Sequence, residues 1–332
     1  AEHKEPLPLR RRLLPGRRGE DARCQGGAEN CREKGRFHGF YSDRHSSYHW
    51  SSTLEVMSTA HPPETPKQPI EGVNSLIAIG SGKGGVGKTT VSVNLAIALA
   101  AMGYRVGLLD ADVYGPNVPL MMGVSDTPYM VDGRIQPIEQ HGVKLMSMGF
   151  LNPGDKPLIW RGPMLHSVMQ QFLRQVEWGD LDYLLVDLPP GTGDVQLSLI
   201  QTAPISGAVV VTTPSEVALE DGRKAVLMFR QVKVELLGMV ENMSYLIVPG
   251  TSQRVDVFGE GGGKRTAEAM DVPFLGELPM EPAIRIGGDT GRPAALQGPD
   301  GEQAKPFFEM ARRLVERAKT AQKTAPRFTV ED

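Results

Sequence analysis

Cysteine is nearly absent from this chain: Cys24 and Cys31 are the only two in 332 residues, and both fall near the N-terminus. The rest has no thiol, and a chain this long can bury a core without disulfides, so a reducing cytoplasm is the expected compartment. Long apolar runs are missing as well. No stretch approaches the roughly 18 residues that a membrane-spanning helix needs, and no membrane partner is expected. Neither sign of charge is in excess. The 36 basic and 39 acidic residues leave a net charge of -3, which makes no electrostatic case for nucleic acid. What is present is 40% hydrophobic and 23% charged, the balance of a globular protein.

Residues 1–66 differ from all that follows. They hold the Arg10-Arg11-Arg12 and Arg17-Arg18 clusters, both cysteines and five of the seven histidines, with no helix or strand period. Such a segment buries too little surface to offset its ordering entropy, and it reads as a disordered Arg/His-rich extension. Glu2, Glu5, Glu20, Asp21 and Glu29 speak against a transit peptide. Cys24, Cys31, His38 and His45 recur every seven residues, with His49 following, which matches no usual metal-ligand spacing. A folded domain is expected over residues 67–322, and a flexible tail over 323–332.

Within that domain, short apolar runs alternate with helical patterns. Strands are expected at Leu76–Gly80, Val106–Asp110, Val143–Met148, Tyr183–Asp187, Ala208–Thr212, Leu236–Val240 and Phe274–Leu278. Helices are expected at Thr89–Met102, Met164–Gln175, Ser215–Gln231 and Glu302–Lys319. Most of the strands are continuously apolar, as in a parallel sheet covered on both faces. The alternation predicts an α/β fold, a doubly wound and mostly parallel sheet with ligands at the carboxyl ends of its strands.

The segment Gly82-Lys83-Gly84-Gly85-Val86-Gly87-Lys88-Thr89 has the spacing of a phosphate-binding loop, between an expected strand and an expected helix. Glycines let backbone N–H groups turn toward a phosphate, and the helix N-terminus adds favourable partial charge. Gly82, Gly84, Gly85, Val86, Gly87, Lys88, Thr89 and Thr90 are therefore candidate ATP contacts. Lys88 would reach the β- and γ-phosphates, and Thr89 would ligate Mg²⁺. An ordinary loop does not need Lys83, and a lysine on such a loop is commonly just solvated.

Three carboxylates stand at or just past the ends of expected strands. Asp110 and Asp112, two residues apart, point to a magnesium shell and a water-orienting base respectively, against the alternative of a turn-capping pair. Asp187 closes an apolar strand and would hold Mg²⁺ through a water. The following Leu188-Pro189-Pro190-Gly191-Thr192-Gly193-Asp194 is either a switch loop or a plain connection. Asn242 offers a donor and an acceptor to an adenine edge, though asparagine at a strand end is commonly a turn former.

Together with Asp110-Ala111-Asp112-Val113-Tyr114-Gly115-Pro116, Trp160-Arg161-Gly162-Pro163 and Glu241-Asn242-Met243-Ser244-Tyr245, these segments resemble the Mrp family of iron–sulfur cluster carrier ATPases. The likeness runs from about Pro69 to Ala318. The wider class has a deviant Walker A loop and includes MinD, ParA and the nitrogenase iron protein. The resemblance implies a homodimeric ATPase that uses Mg-ATP, serves iron–sulfur client or scaffold proteins, and carries a [4Fe–4S] cluster between subunits. It also implies that Lys83 reaches the partner's nucleotide, and it favours the adenine role for Asn242. The alternative within the class is a MinD- or ParA-like positioning ATPase that switches between monomer and ATP-bound dimer on a membrane or DNA surface.

In one place the chain departs from the family. Where the carriers have Cys-x-x-Cys, this chain reads Leu246-Ile247-Val248-Pro249-Gly250-Thr251, placing Val248 and Thr251 at the ligand positions. Valine cannot bind iron, and a neutral hydroxyl is a poor partner for a soft cluster. The last expected helix has one apolar face (Phe307, Phe308, Met310, Ala311, Leu314, Val315, Ala318), expected to dock on the sheet. The basic residues on its other face leave membrane targeting as the alternative.

Overall fold

The continuous apolar strands are explained by what covers them. In the computed structural model, which describes residues 68–151, 162–251 and 253–324, alternate residues of one strand enter two separate cores. Ile77 and Ile79 of the first strand join one core, and Leu76 and Ala78 join the other. Tyr183 and Leu185 likewise part from Leu184 and Val186. A strand buried on both sides has no polar face to alternate.

In chain order the elements are β1 (Leu76–Gly80), α1 (Lys88–Ala101), β2 (Val106–Asp110), α2 (Val118–Met122), β3 (Tyr129–Val131), β4 (Arg134–Gln136), β5 (Ile138–Gln140) and β6 (Val143–Ser147). There follow α3 (Gly162–Arg174), β7 (Tyr183–Asp187), α4 (Asp194–Thr202), β8 (Gly207–Thr212), α5 (Glu216–Gln231) and β9 (Leu236–Glu241). The series ends with β10 (Leu246–Ile247), β11 (Arg254–Val255), α6 (Gly262–Ala269), β12 (Phe274–Glu277), α7 (Pro282–Asp289) and α8 (Lys305–Thr324). One eight-stranded sheet runs β12-β9-β8-β1-β7-β2-β6-β5. Every pair in it is parallel except β5 with β6, which closes one edge.

The doubly wound sheet expected from the sequence is present, with all seven expected strands in it and ends within a residue or two. Helices α1, α2 and α8 fill one face, and α3, α4 and α5 the other. Phe307, Phe308 and Leu314 of α8 are buried in the first core. Truncating either phenylalanine to alanine costs about 3–5 kcal/mol at such sites. Helix α1 has almost no polar face, which suits a helix enclosed by the sheet, α8 and the 3₁₀ turn Ala294–Gln297.

Several elements were not expected. Helix α7 contains Gly287 and Gly288, whose propensity argues against a helix. Close packing outweighs propensity there, since a Cβ on Gly287 would come within 2.5 Å of the Arg292 carbonyl. The last helix starts later and ends later than expected, at Thr324. Among the described residues no helix is long and apolar enough to cross a membrane. Cys24, Cys31, His38, His45 and His49, with the rest of the extension 1–66, lie outside the described residues, as do Trp160, Arg161 and 325–332.

Candidate functional site: a phosphate loop and its carboxylates

The loop 81–87 joins β1 to α1, and its last residue, Gly87, is the N-cap of α1 with φ 81°. That backbone conformation is open to glycine and strained for other residues. A side chain there would also strike Asn242 Nδ2, 2.1 Å from the Cβ position. Ser81 fastens the loop's entrance, its hydroxyl donating to the Lys83 carbonyl at 3.0 Å.

Asp187, at the end of β7, gathers the polar side chains of α1. Lys88 Nζ lies 2.8 Å from Asp187 Oδ2, the Thr89 hydroxyl donates to the same oxygen at 2.8 Å, and the Ser92 hydroxyl donates to Oδ1 at 2.6 Å. Lys88 and Asp187 are both buried. Ser92 was not singled out in the sequence; its position four residues after Lys88, on the same helix face, is the signal that could have found it.

Strands β2 and β7 run side by side with Asp110 opposite Asp187. Asp110 accepts from the Ser147 hydroxyl at 2.8 Å and from the Asp112 and Val118 N–H groups at 3.1 and 3.3 Å. Burial, and next the charge of Asp187, push the Asp110 carboxyl up to about 7, against the pull of Ser147, Asp112 and Lys88. Ser147 ends β6 in register with Asp110, a pairing that only the sheet order reveals. Asp112 turns its Oδ1 to the Tyr114 and Gly115 N–H groups, at 3.1 and 3.3 Å. It is therefore a turn-stabilising aspartate, and it also lines the cleft.

The cleft holds about 630 Å³. One wall is the loop from Lys83 to Thr90, so that Gly84, Gly85, Val86, Gly87, Lys88 and Thr89 all face it; Gly82 does not line it and instead packs against the Asp221 carbonyl of α5. Met280, Glu281, Ile284 and Arg285, in the chain after β12, also line the cleft, and the sequence did not mark them. Lys83 lines the cleft half-buried, its ammonium in no ion pair or hydrogen bond among the described residues. Asn242 lines the cleft beside the phosphate loop and donates from Nδ2 to the Val86 carbonyl at 2.9 Å. One amide hydrogen is thus committed to the loop, and Oδ1 remains as an acceptor. Buried Glu241 fixes this segment by accepting from the Ser244 hydroxyl at 2.8 Å and from the Gly263 N–H.

The Pro189–Asp194 loop passes beside the phosphate loop. Gly191 N donates to the Ser81 carbonyl and Leu188 N to that of Ile79, both at 3.0 Å, and Pro190 lines the cleft.

These features fit Mg-ATP. The glycine-rich loop lines a cleft with room for a nucleotide, while a hydroxyl and a carboxylate, both hard oxygen donors, sit 2.8 Å apart beside it. A cluster does not fit at the turn between β10 and β11. Val248 and Thr251 end a tight turn between β10 and β11, with Thr251 N donating to the Val248 carbonyl at 3.0 Å and Gly250 at φ 78°. Among the described residues no group of three or more His, Cys, Asp or Glu could hold a metal.

Comparison with known proteins gives the family. Residues 72–315 match the ParA family model described as NUBPL iron-transfer P-loop NTPase. An iron–sulfur cluster carrier protein of Synechocystis is 49% identical over 271 residues, covering 79% of this chain and 77% of its own. A nucleotide-binding protein of Archaeoglobus fulgidus, solved in complex with ADP, is 38% identical with a TM-score of 0.61, over 67% of this chain and 88% of that one. The septum site-determining protein MinD of Pyrococcus horikoshii, solved with Mg-ADP, is 25% identical with a TM-score of 0.54, over 74% of this chain and 98% of that one. The chain belongs to the iron–sulfur cluster carrier and transfer family of P-loop NTPases, the family of Mrp and NUBPL.

Proposed function

We propose that the protein is a homodimeric, Mg²⁺-dependent ATPase that serves iron–sulfur cluster assembly or transfer to client proteins, with the nucleotide chemistry carried by residues 67–322. The observation that carries this is the convergence of Lys88, Thr89 and Ser92 on Asp187 at one end of a nucleotide-sized cleft. Thr89 and Asp187 would hold Mg²⁺, with Asp110 behind them; the ion supplies positive charge to the β- and γ-phosphates. The loop amides and Lys88 bind the phosphates, and Asp112 orients the attacking water. Lys83, with no ion pair among the described residues, is free to reach a phosphate, including one held by a second subunit. Asn242 Oδ1 suits the amino group of adenine and disfavours the guanine carbonyl at that place.

The hairpin tip supplies no thiolate, so any cluster this chain handles is cargo bound otherwise than at Val248 and Thr251. A cytoplasmic setting, without nucleic acid or membrane as partner, goes with this function. The competing MinD-like function rests on the shared fold at 25% identity, against 49% to a cluster carrier. Calorimetric titration with Mg-ATP, phosphate release, and sedimentation with and without ATP test the proposal. Saturable heat, slow release and an ATP-dependent dimer are expected. No heat and no thermal protection would end it, and ATP-dependent pelleting with liposomes or DNA would favour the positioning role.

A further inference from the structure

Gln196 is 1% exposed, and neither its Nε2 nor its Oε1 has a hydrogen-bond partner among the described residues. No other buried side-chain polar atom there is left in that position. Such atoms are rare because a buried amide without partners gives up its hydration for nothing in return. Gln196 is the third residue of α4, three positions after the N-cap Gly193. Glutamine at that position commonly turns back and bonds the N-cap N–H. Here the amide points inward instead, into a slot beside Gly80 and Phe229. A Cβ on Gly80 would come within 3.0 Å of both Gln196 Nε2 and the Phe229 ring.

The location gives the amide its meaning. Gly80 is the last residue of β1 and leads directly into Ser81, whose carbonyl holds Gly191 of the Pro189–Asp194 loop. That same loop runs into α4. Gln196 therefore rests on the stem of the phosphate loop while belonging to the helix that the neighbouring loop would pull. Packing below α4 is incomplete too, with a small apolar void between its Leu199 and C-cap Ala203 and Leu109 and Val186 of the sheet.

We propose that Gln196 is a positioning residue of the ATP switch: its amide leaves the slot and caps the Gly193 N–H when the loop closes on a γ-phosphate. In the slot the amide is unpaired and at the cap it is paired, so its position favours closure. Gly191, at φ 97°, and Gly193 give the loop its backbone freedom. The inference rests on the ATP function proposed above.

The test uses the full chain and compares Gln196→Met and Gln196→Glu with the unaltered protein. Calorimetry measures affinity for Mg-ADP and for magnesium with a non-hydrolysable ATP analogue; thermal melting is followed without nucleotide. Methionine fills the slot with a similar shape and no unpaired amide. It should raise the melting temperature and lower the preference for the ATP analogue over ADP about tenfold, with ADP affinity unchanged. Glutamate keeps the capping acceptor but loses free energy in the slot, so it should melt lower and raise that preference. A lower melting temperature for Gln196→Met would show the amide already satisfied where it lies, and overturn the proposal. An analogue preference within twofold of the unaltered protein would reduce Gln196 to a structural part and overturn it equally. Failure of the unaltered chain to bind either nucleotide would remove the ATP function and this inference together, a result distinct from the other two.

Discussion

Lys88 Nζ sits 2.8 Å from Asp187 Oδ2 with 6% of the lysine side chain and none of the aspartate exposed. The pair thus has a structural part as well as the phosphate-binding part proposed for Lys88. Removing one member of a buried ion pair leaves the other charge stranded, at a cost of about 3–5 kcal/mol. Lys88→Ala should lose detectable Mg-ATP binding and also unfold at lower denaturant without nucleotide. Thr89 and Ser92 still donate to Asp187, which places the loss toward the lower end. Denaturant titration of the two proteins checks stability, and calorimetry checks binding. Unchanged nucleotide affinity would remove Lys88 from the phosphate site.

Asp112 sets up a different expectation. Its Oδ1 braces the Tyr114–Gly115 turn, and its side chain lines the cleft with no hydrogen bond or ion pair to Asp187, Lys88, Thr89 or Ser92 among the described residues. Asp112→Ala should therefore bind Mg-ATP within a few-fold of the unaltered protein and lose about 10²-fold or more in turnover, the scale of a general base. Asp112→Asn keeps the turn's acceptor and removes the base. Equal loss of turnover in both variants assigns the effect to chemistry; full activity in Asp112→Asn would assign it to the turn.

Asp110 makes stability depend on pH. Its carboxyl is raised from 3.8 to about 7 by burial and by Asp187, so between those values the folded state holds a proton that the unfolded state has released. The stability this contributes is fully present below 3.8 and is lost as pH rises through about 7. A cation beside Asp110 favours the carboxylate, so binding Mg-nucleotide near pH 7 should release a proton. Calorimetric heats measured there should vary with the ionisation enthalpy of the buffer, and that variation should fade at high pH, where the proton is already gone. Buffer-independent heats at pH 7 would leave Asp110 outside the metal site.

Local chemistry made the central parts of the site legible in advance. A glycine-rich loop before a helix, and acids closing apolar runs, are local patterns, and Lys88, Thr89, Asp110 and Asp187 come together as their positions imply. What stayed hidden depends on sheet order and packing. Ser147 meets Asp110 only because β6 lies beside β2, and the cleft wall of Met280, Ile284 and Arg285 is brought in by the chain beyond β12. Helix α7 was hidden by its own glycines, which mark turns in sequence and close contacts in the fold. For Asn242, residue type alone left two hydrogen-bonding roles open, and the Val86 carbonyl narrows them.

The hairpin between β10 and β11 allows a gain of function to be engineered. Its tip keeps a tight turn, with Thr251 N and Oγ1 both donating to the Val248 carbonyl, so the backbone that would present two ligands remains while the side chains cannot bind iron. Val248→Cys with Thr251→Cys should restore a thiolate pair, and two subunits would then offer four soft ligands, the set a [4Fe–4S] cluster requires. Anaerobic reconstitution with iron and sulfide should give the double variant a visible charge-transfer band and about one cluster per dimer. The single variants, with half the thiolates, should retain little after desalting. Cys24 and Cys31 can be changed to serine in the same background, so that any remaining cluster belongs to the hairpin. Should the double variant take up no cluster while still binding Mg-ATP, the hairpin is not a ligand-presenting element in this chain.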